Sequence, residues 1–413
     1  MGNMIGSGVF LLPASLAPYG GLSLAGWVLS AAGAVLLALV FAGLARFSPV
    51  TGGPYAYTRL AYGDLAGFLV AWGYLISIWA TNSALAVAFV GYLDPFFPSI
   101  VRTPVLAASL AVTTVWVFLA VNLAGLRAAG GLQIVTTVLK VLPLIAIGVA
   151  GLFYFDASRF AMPHEQTASV SSQLLAVTTL TLFALMGLEC ATIPAGSTAN
   201  ADTTVPRATV IGTLLTAIVY MVSTVGVMSL MDTTALKQSA APFADAARII
   251  GGESAAAIIA VGAAISCLGA LNGWILVSGQ IPMAMSVDGL MPRIFAKLSP
   301  RGVPAHAMVC GAILSSVLIL ANYSKSLVDL FTFVILLATL STLIPYAFCS
   351  LAGFILHRRE RRFQWSRGAA VVSSLAFAFS LFAIAGAGMD VVYYGFLLLM
   401  AGLPIYALIA PVK

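Results

Sequence analysis

From about residue 23 to the C-terminus, apolar stretches of about twenty residues recur with only short polar breaks between them. A helix rises about 1.5 Å per residue, so twenty such residues cross a hydrocarbon core of about 30 Å with every backbone group bonded internally. Barrel strands would alternate polar and apolar residues, and these stretches do not. The chain is therefore read as all-α and polytopic in a membrane. Composition agrees: 61% of the 413 residues are hydrophobic and 8% charged, against roughly 25% charged in a soluble domain, and mean hydropathy is +1.06.

Spans are expected near 23–45, 65–93, 104–124, 130–155, 172–195, 207–231, 254–286, 304–322, 327–350, 369–388 and 391–410. A short segment at 8–17 makes twelve. It is too short to cross alone, so the first span is expected to lack its N-terminal half, roughly 10 to 25 residues upstream of Met1. With a cytoplasmic N-terminus, thirteen Lys and Arg fall in cytoplasmic loops and ends. Only Arg102, Arg159, Lys237, Arg248 and Lys325 fall on the other side. The positive-inside rule then places the C-terminus in the cytoplasm, and the expected location is a bacterial inner membrane. The net charge of +6 is explained by these loops, so no nucleic-acid partner is implied.

Spans one to five and six to ten superpose as two sets of five. Each set opens on a span interrupted by glycine: Gly2, Gly6 and Gly8 in the first, Gly187 in the second. Such a pair of broken spans is the sequence mark of an inverted repeat with its binding site at the midplane. The expected units are 1–156, 172–357 and a peripheral pair of helices at 368–413.

The segment GNMIGSG has no preceding strand and no following GK[ST], so it is not a phosphate loop. Unwinding there frees the N–H groups of Ser7 and Gly8 at the start of a half-helix, whose positive end suits a carboxylate. Freed carbonyls of Met4 and, opposite, of Phe183 and Met186 suit an ammonium, with Asn3 and Gly6 in the same segment. Together they fit a zwitterionic amino acid. The alternative is glycine used for close helix packing.

Two formal charges fall well inside the spans, Lys140 and Glu189. A buried charge in a membrane is costly unless paired, so each is a functional candidate. Glu189 follows the break at Gly187, at the expected N-terminal end of a half-helix. A structural cap for Glu189 and a snorkelling lysine for Lys140 are the alternatives. Trp274 reads as a gate or a packing filler, and Asn82 as a partner for substrate or for a neighbouring helix. Cys190, Cys267, Cys310 and Cys349 lie in apolar runs without metal spacing, and His164, His306 and His357 take no role. No nucleophile with its base is present, so no enzyme activity, cofactor or metal is expected.

GNMIGSGVFLLPASLA, TGGPYAYTRLAYG, FVGYLDPFFP, LFALMGLECA, APFADAARI, CLGALNGW, DGLMPRIFA and LIPY cover nearly the whole chain. In these runs the sequence resembles the amino acid, polyamine and organocation transporter superfamily, and within it the basic amino-acid/polyamine antiporters, above all the arginine/agmatine type. The resemblance implies a LeuT-like five-plus-five inverted repeat followed by two peripheral helices. It implies a carboxylate site at Ser7 and Gly8, amine-binding carbonyls at Met4, Phe183 and Met186, a gating carboxylate at Glu189, and a pocket with gates at Tyr74, Asn82, Trp274 and Tyr346. Phe183, Ile78, Leu85 and Ala338 depart from the arginine/agmatine pattern, which has tryptophan, cysteine, methionine and serine there. Lys140 departs too. It resembles the fifth-span lysine of proton-coupled permeases, which stands where sodium binds in sodium-coupled relatives, with Ser266 as its partner.

The function expected is sodium-independent amino-acid transport by alternating access, as a permease or exchanger of cationic or neutral amino acids, arginine/agmatine-type antiport included. A proton-coupled symporter or exporter is the alternative, and a non-transporting sensor the alternative from another class. The expected partners are a small amino acid or its decarboxylated amine and the lipid bilayer. A homodimer is left open.

Overall fold

The computed structural model describes residues 1–161, 169–239, 241–321, 327–359 and 366–409. His164, Lys325, Arg361 and Arg362 lie outside the described residues. All secondary structure among the described residues is helical. Six residues of turn precede α1 (Gly8–Leu16), followed by α2 (Leu22–Phe47), the short α3 (Pro54–Tyr62), α4 (Asp64–Gly91) and one turn of α5 (Pro98–Val101). Next come α6 (Pro104–Leu123), α7 (Leu126–Leu152), α8 (Val170–Ala184), α9 (Ala201–Leu230) and the short α10 (Thr233–Gln238). The rest are α11 (Pro242–Val287), α12 (Ala305–Ala321), α13 (Leu327–Arg359), α14 (Arg367–Gly386), α15 (Met389–Met400) and α16 (Gly402–Ile409).

Among the described residues ten stretches are helical, long and apolar enough to cross a membrane, and two shorter apolar ones, Gly8–Tyr19 and Ala305–Ala321, complete the twelve expected. Several boundaries differ from the sequence reading: α8 ends at Ala184, α9 begins at Ala201 and α13 runs on to Arg359, and two further differences have a visible cause. Helix α11 extends back to Pro242, but Gly251 and Gly252 leave helical geometry, Gly252 at φ +67°, so Pro242–Ile250 is a separate arm before the span. The last span is two helices, because Trp72 Nε1 donates to Leu398 O at 2.9 Å. A Cβ at Gly402 would stand 2.6 Å from the same indole. A side chain inserted into the helical ladder breaks it there.

Helix α4 is the most enclosed span, with 78% of its apolar window buried, and it packs on α3, α6, α11, α12 and α13. Around it, α1 meets α8, α2 meets α9, α7 meets α9 and α11, and α13 meets α2. The α7–α9 contact is made by glycines: a Cβ on Gly226 would lie 2.6 Å from Gly148 Cα. Small residues let helix backbones approach where apolar burial gives no drive. Helices α14 to α16 bury little of their surface, and large apolar side chains such as Met389, Phe396 and Leu408 face outward.

Between α2 and α4, α3 is tied to distant elements. Arg59 pairs with Asp64 and with Asp288 at the end of α11, both at 2.9 Å. Tyr55 donates to Asp288 at 2.8 Å and Tyr62 to Phe348 O of α13 at 3.2 Å. Just before α3, Gly52 N–H donates to Ile193 O at 2.9 Å.

Candidate functional site

Two segments outside α-helical geometry, Gly2–Ser7 before α1 and the stretch around Gly187 after α8, face each other within the bundle. The first break is the turn Gly2–Ser7 before α1. The second follows α8, where Gly187 adopts φ +95°, the left-handed region that glycine tolerates. Glu189 was expected at the start of a half-helix. It lies instead in a single 3-10 turn, Leu188–Ala191, followed by a second, Ala195–Ser197. Pro194 between them supplies no N–H, so an α-helix cannot run through.

The carboxylate of Glu189, fully buried, is held by side chains together with the backbone of Gly187 and Glu189 at the start of that turn. Tyr74 of α4 donates to Oε1 and Tyr346 of α13 donates to Oε2. One carboxylate thus joins the second break to two packed helices. Tyr74, read as a pocket residue, and Tyr346, read as a gate, sit together on Glu189.

The first break is held just as closely. Lys140 Nζ, from α7 and fully buried, donates to Gly2 O and, at 2.6 Å, to Ile5 O. Ser266 Oγ of α11 donates to Ile5 O and Gly6 O at 3.3 Å each. The expected Lys140–Ser266 partnership is indirect: both groups donate, so they meet on the shared Ile5 carbonyl. Tyr220 OH of α9 donates to Met4 O at 2.8 Å, and Trp274 Nε1 to Asn3 O at 3.1 Å. The carbonyls from Gly2 to Gly6 thus all have side-chain donors. Met4 O, which the resemblance gave to the substrate amine, already has one of its two lone pairs engaged.

Between the breaks lies a cavity of about 50 Å³. Of the expected pocket residues it is lined by Asn3, Met4, Gly6, Ser7, Gly8, Leu85, Phe183, Met186, Trp274 and Ala338, together with Thr81, Ala84, Ala184 and Thr342. That volume holds a water molecule or two. An amino acid enters only if the walls move apart. Tyr74 and Asn82 are not among the lining residues. Asn82 is buried on α4 with its Oδ1 unpartnered, next to Thr81, which does face the cavity.

Tyr220, Thr81 and Thr342 were not anticipated. The weak signal for each was a lone polar residue in an apolar helix. A second cavity, about 270 Å³, lies beyond Asn3, Met4 and Gly187 and reaches Gln133 and Gln280. Among the described residues no cluster of metal-ligating side chains occurs.

The arrangement offers a helix N-terminus whose first N–H groups have no intrahelical acceptor, apolar and aromatic walls, and a buried carboxylate, with no nucleophile beside a base. Comparison with known proteins agrees with a carrier site. The family described as "Amino acid permease" matches residues 1–403. The chain is 33% identical to the cadaverine/lysine antiporter of Escherichia coli (strain K12), over 84% of this chain and 79% of that protein. It is 29% identical to the putrescine transporter PotE of Haemophilus influenzae (strain ATCC 51907 / DSM 11121 / KW20 / Rd), over 99% of this chain and 94% of that protein. The chain belongs to the amino acid permease family, within the amino acid, polyamine and organocation superfamily, as a multi-pass bacterial membrane protein of the permease/exchanger type.

Proposed function

We propose that this transporter exchanges amino acids across the bacterial inner membrane by alternating access, without sodium, at the cavity between its two broken helices. The observation that carries the reading is the grip of Lys140 on Gly2 and Ile5. A fixed ammonium bonding carbonyls of the first break supplies the positive charge that a bound sodium would bring. The substrate carboxylate goes to the N–H groups of Ser7 and Gly8. Its ammonium goes to the second break, to the Met186 carbonyl first, since the carbonyls of the first break and that of Phe183 already have donors.

An inverted repeat of 1–156 and 172–357 underlies the mechanism, with 368–413 peripheral. Its support is a symmetry in the packing. Moving five spans along converts the α4–α13 contact into α11–α7, and the α7–α9 contact into α13–α2. The pairs α1–α8, α2–α9 and α4–α11 map onto themselves.

Cargo is a cationic or neutral amino acid, or its decarboxylated amine. The two relatives are named for lysine, cadaverine and putrescine. In this cavity the groups facing a side-chain cation include the rings of Phe183 and Trp274 and the hydroxyl of Thr81, while the Thr342 hydroxyl is already bonded to Ala338 O and Ser77 Oγ. Aromatic faces attract a cation and also accept an apolar chain. The protein operates in lipid with its C-terminus in the cytoplasm, as a monomer or a homodimer. Uptake of arginine, lysine, agmatine, leucine and alanine into proteoliposomes, with and without internal substrate, tests the reading. Uptake of at least one compound should rise sharply with internal substrate. No stimulation by any would overturn exchange.

A further inference from the structure

Three side-chain amides form a chain across three helices beside the first break. Asn122 Nδ2 of α6 donates to Asn272 Oδ1 of α11 at 3.0 Å, and Asn272 Nδ2 donates to Gln133 Oε1 of α7 at 3.0 Å. Its polarity follows from one fixed end. Asn272 Nδ2 also donates at 2.9 Å to the carbonyl of Ala129, a group that can only accept, so the Asn272 amide cannot be flipped. Its Oδ1 must then receive from Asn122, and its second N–H must meet an oxygen on Gln133. Gln133 Nε2 is thereby forced to the far end as a free donor, and it has no partner among the described residues.

That donor abuts the first break. A Cβ on Gly2 would stand 2.0 Å from Gln133 Nε2, and one on Gly273, the neighbour of Asn272, would stand 1.9 Å from Asn3 Oδ1. Glycine on the break and glycine on α11 let the turn Gly2–Asn3 seat directly on the amide chain. Three amides in a membrane interior are costly unless each is satisfied, and Asn122 Oδ1 at one end and Gln133 Nε2 at the other have no partner among the described residues. Their one surplus donor faces the segment whose carbonyls Lys140 and Trp274 hold.

We propose that Asn122, Asn272 and Gln133 are a positioning relay for the first break. Gln133 Nε2 takes over a carbonyl or the Asn3 side chain as the turn slides past α7 during the transport cycle. Without it, a buried carbonyl released by Lys140 or Trp274 has no donor at the midpoint of the motion, and the barrier rises. The proposal rests on the alternating-access reading above. It assigns Gln133 to the moving step and not to cargo binding, since Gln133 does not line the central cavity.

The test uses the full chain in proteoliposomes with radiolabelled arginine, lysine and leucine as probes, comparing wild type with Gln133→Met, Gln133→Glu and Asn272→Leu. Gln133→Met removes the amide at near-constant volume. Gln133→Glu keeps an oxygen for Asn272 and loses the amide donor. The exchange rate per folded protein should fall about tenfold or more in Gln133→Met and Gln133→Glu, while the dissociation constant of the folded protein stays near wild type. Gln133→Met combined with Asn272→Leu should be no slower than the slower single variant, as expected of groups acting as a unit. Rates within about twofold of wild type, or rates that fall only in step with lost folded protein, would overturn the relay. Absence of exchange by wild type itself would instead strike the alternating-access reading.

Discussion

Glu189 has two buried tyrosine hydroxyls aimed at it, so its removal orphans both donors at once. Each orphaned hydroxyl costs about 1–3 kcal/mol. Glu189→Ala should therefore reduce exchange to near background in folded protein, and Tyr74→Phe or Tyr346→Phe should reduce it only in part. Normal exchange by Glu189→Ala would remove the residue from the site. The lining makes a second expectation measurable by competition. Phe183→Trp with Ala338→Ser adds an indole and a hydroxyl to the cavity, and a guanidinium needs polar partners when buried. The pair should raise arginine affinity relative to leucine; a wild type that already prefers arginine over every neutral competitor contradicts the premise. Much of this cavity was legible from glycine-interrupted helices, since a broken helix must expose backbone groups somewhere. Thr81 and not Asn82 lines the cavity, because in an apolar helix a polar pair such as Thr81–Asn82 gives no sign of which member faces inward. The amides of Asn122, Gln133 and Asn272 were not legible at all. They stand far apart in sequence, and each alone reads as ordinary helix glue.

At the scale of elements, α3 is short and peripheral in sequence yet reaches α11, α13 and the second break. Its motif TGGPYAYTRLAYG served above as a mark of resemblance, and its spacing gave no hint that Arg59 and Tyr55 meet Asp288, more than two hundred residues away. Such pairings arise from the packing of whole helices and leave no local periodicity. Burial, aided by the bond to Asp288, pushes the Tyr55 hydroxyl well above the ordinary tyrosine range. The folded state thus holds this proton more tightly than the unfolded chain, so the tie is at full strength below about pH 10 and weakens above it as unfolded tyrosine ionises. The melting temperature of Tyr55→Phe should lie below wild type by a constant amount from pH 6 to 9, corresponding to about 1–3 kcal/mol. The difference should shrink at more alkaline pH. A difference that instead grows with alkalinity would reverse the sign of the linkage. Asp288→Asn should slow exchange, because it loosens α11 from the loop that holds Ile193 beside the second break, and exchange unchanged in that variant would make the tie ornamental.

For the whole molecule, the number of spans was readable because the membrane demands long apolar helices. Their interruptions at Gly251–Gly252 and at Trp72 were not, since one depends on a backbone turn and the other on a side chain from another span. In the proposed function, the sum of these contacts is a carrier whose two interrupted segments are held by side chains from the surrounding helices, with Lys140 in the place of a sodium ion. Exchange of radiolabelled arginine, lysine or leucine in proteoliposomes, measured in sodium and in choline for wild type and for Lys140→Ala, tests that sum directly. Wild-type exchange should be equal in the two media. Lys140→Ala should lose about tenfold or more of the rate in both while binding substrate with near-normal affinity. Wild-type exchange that collapses in choline, or a Lys140→Ala protein with undiminished turnover, would contradict it.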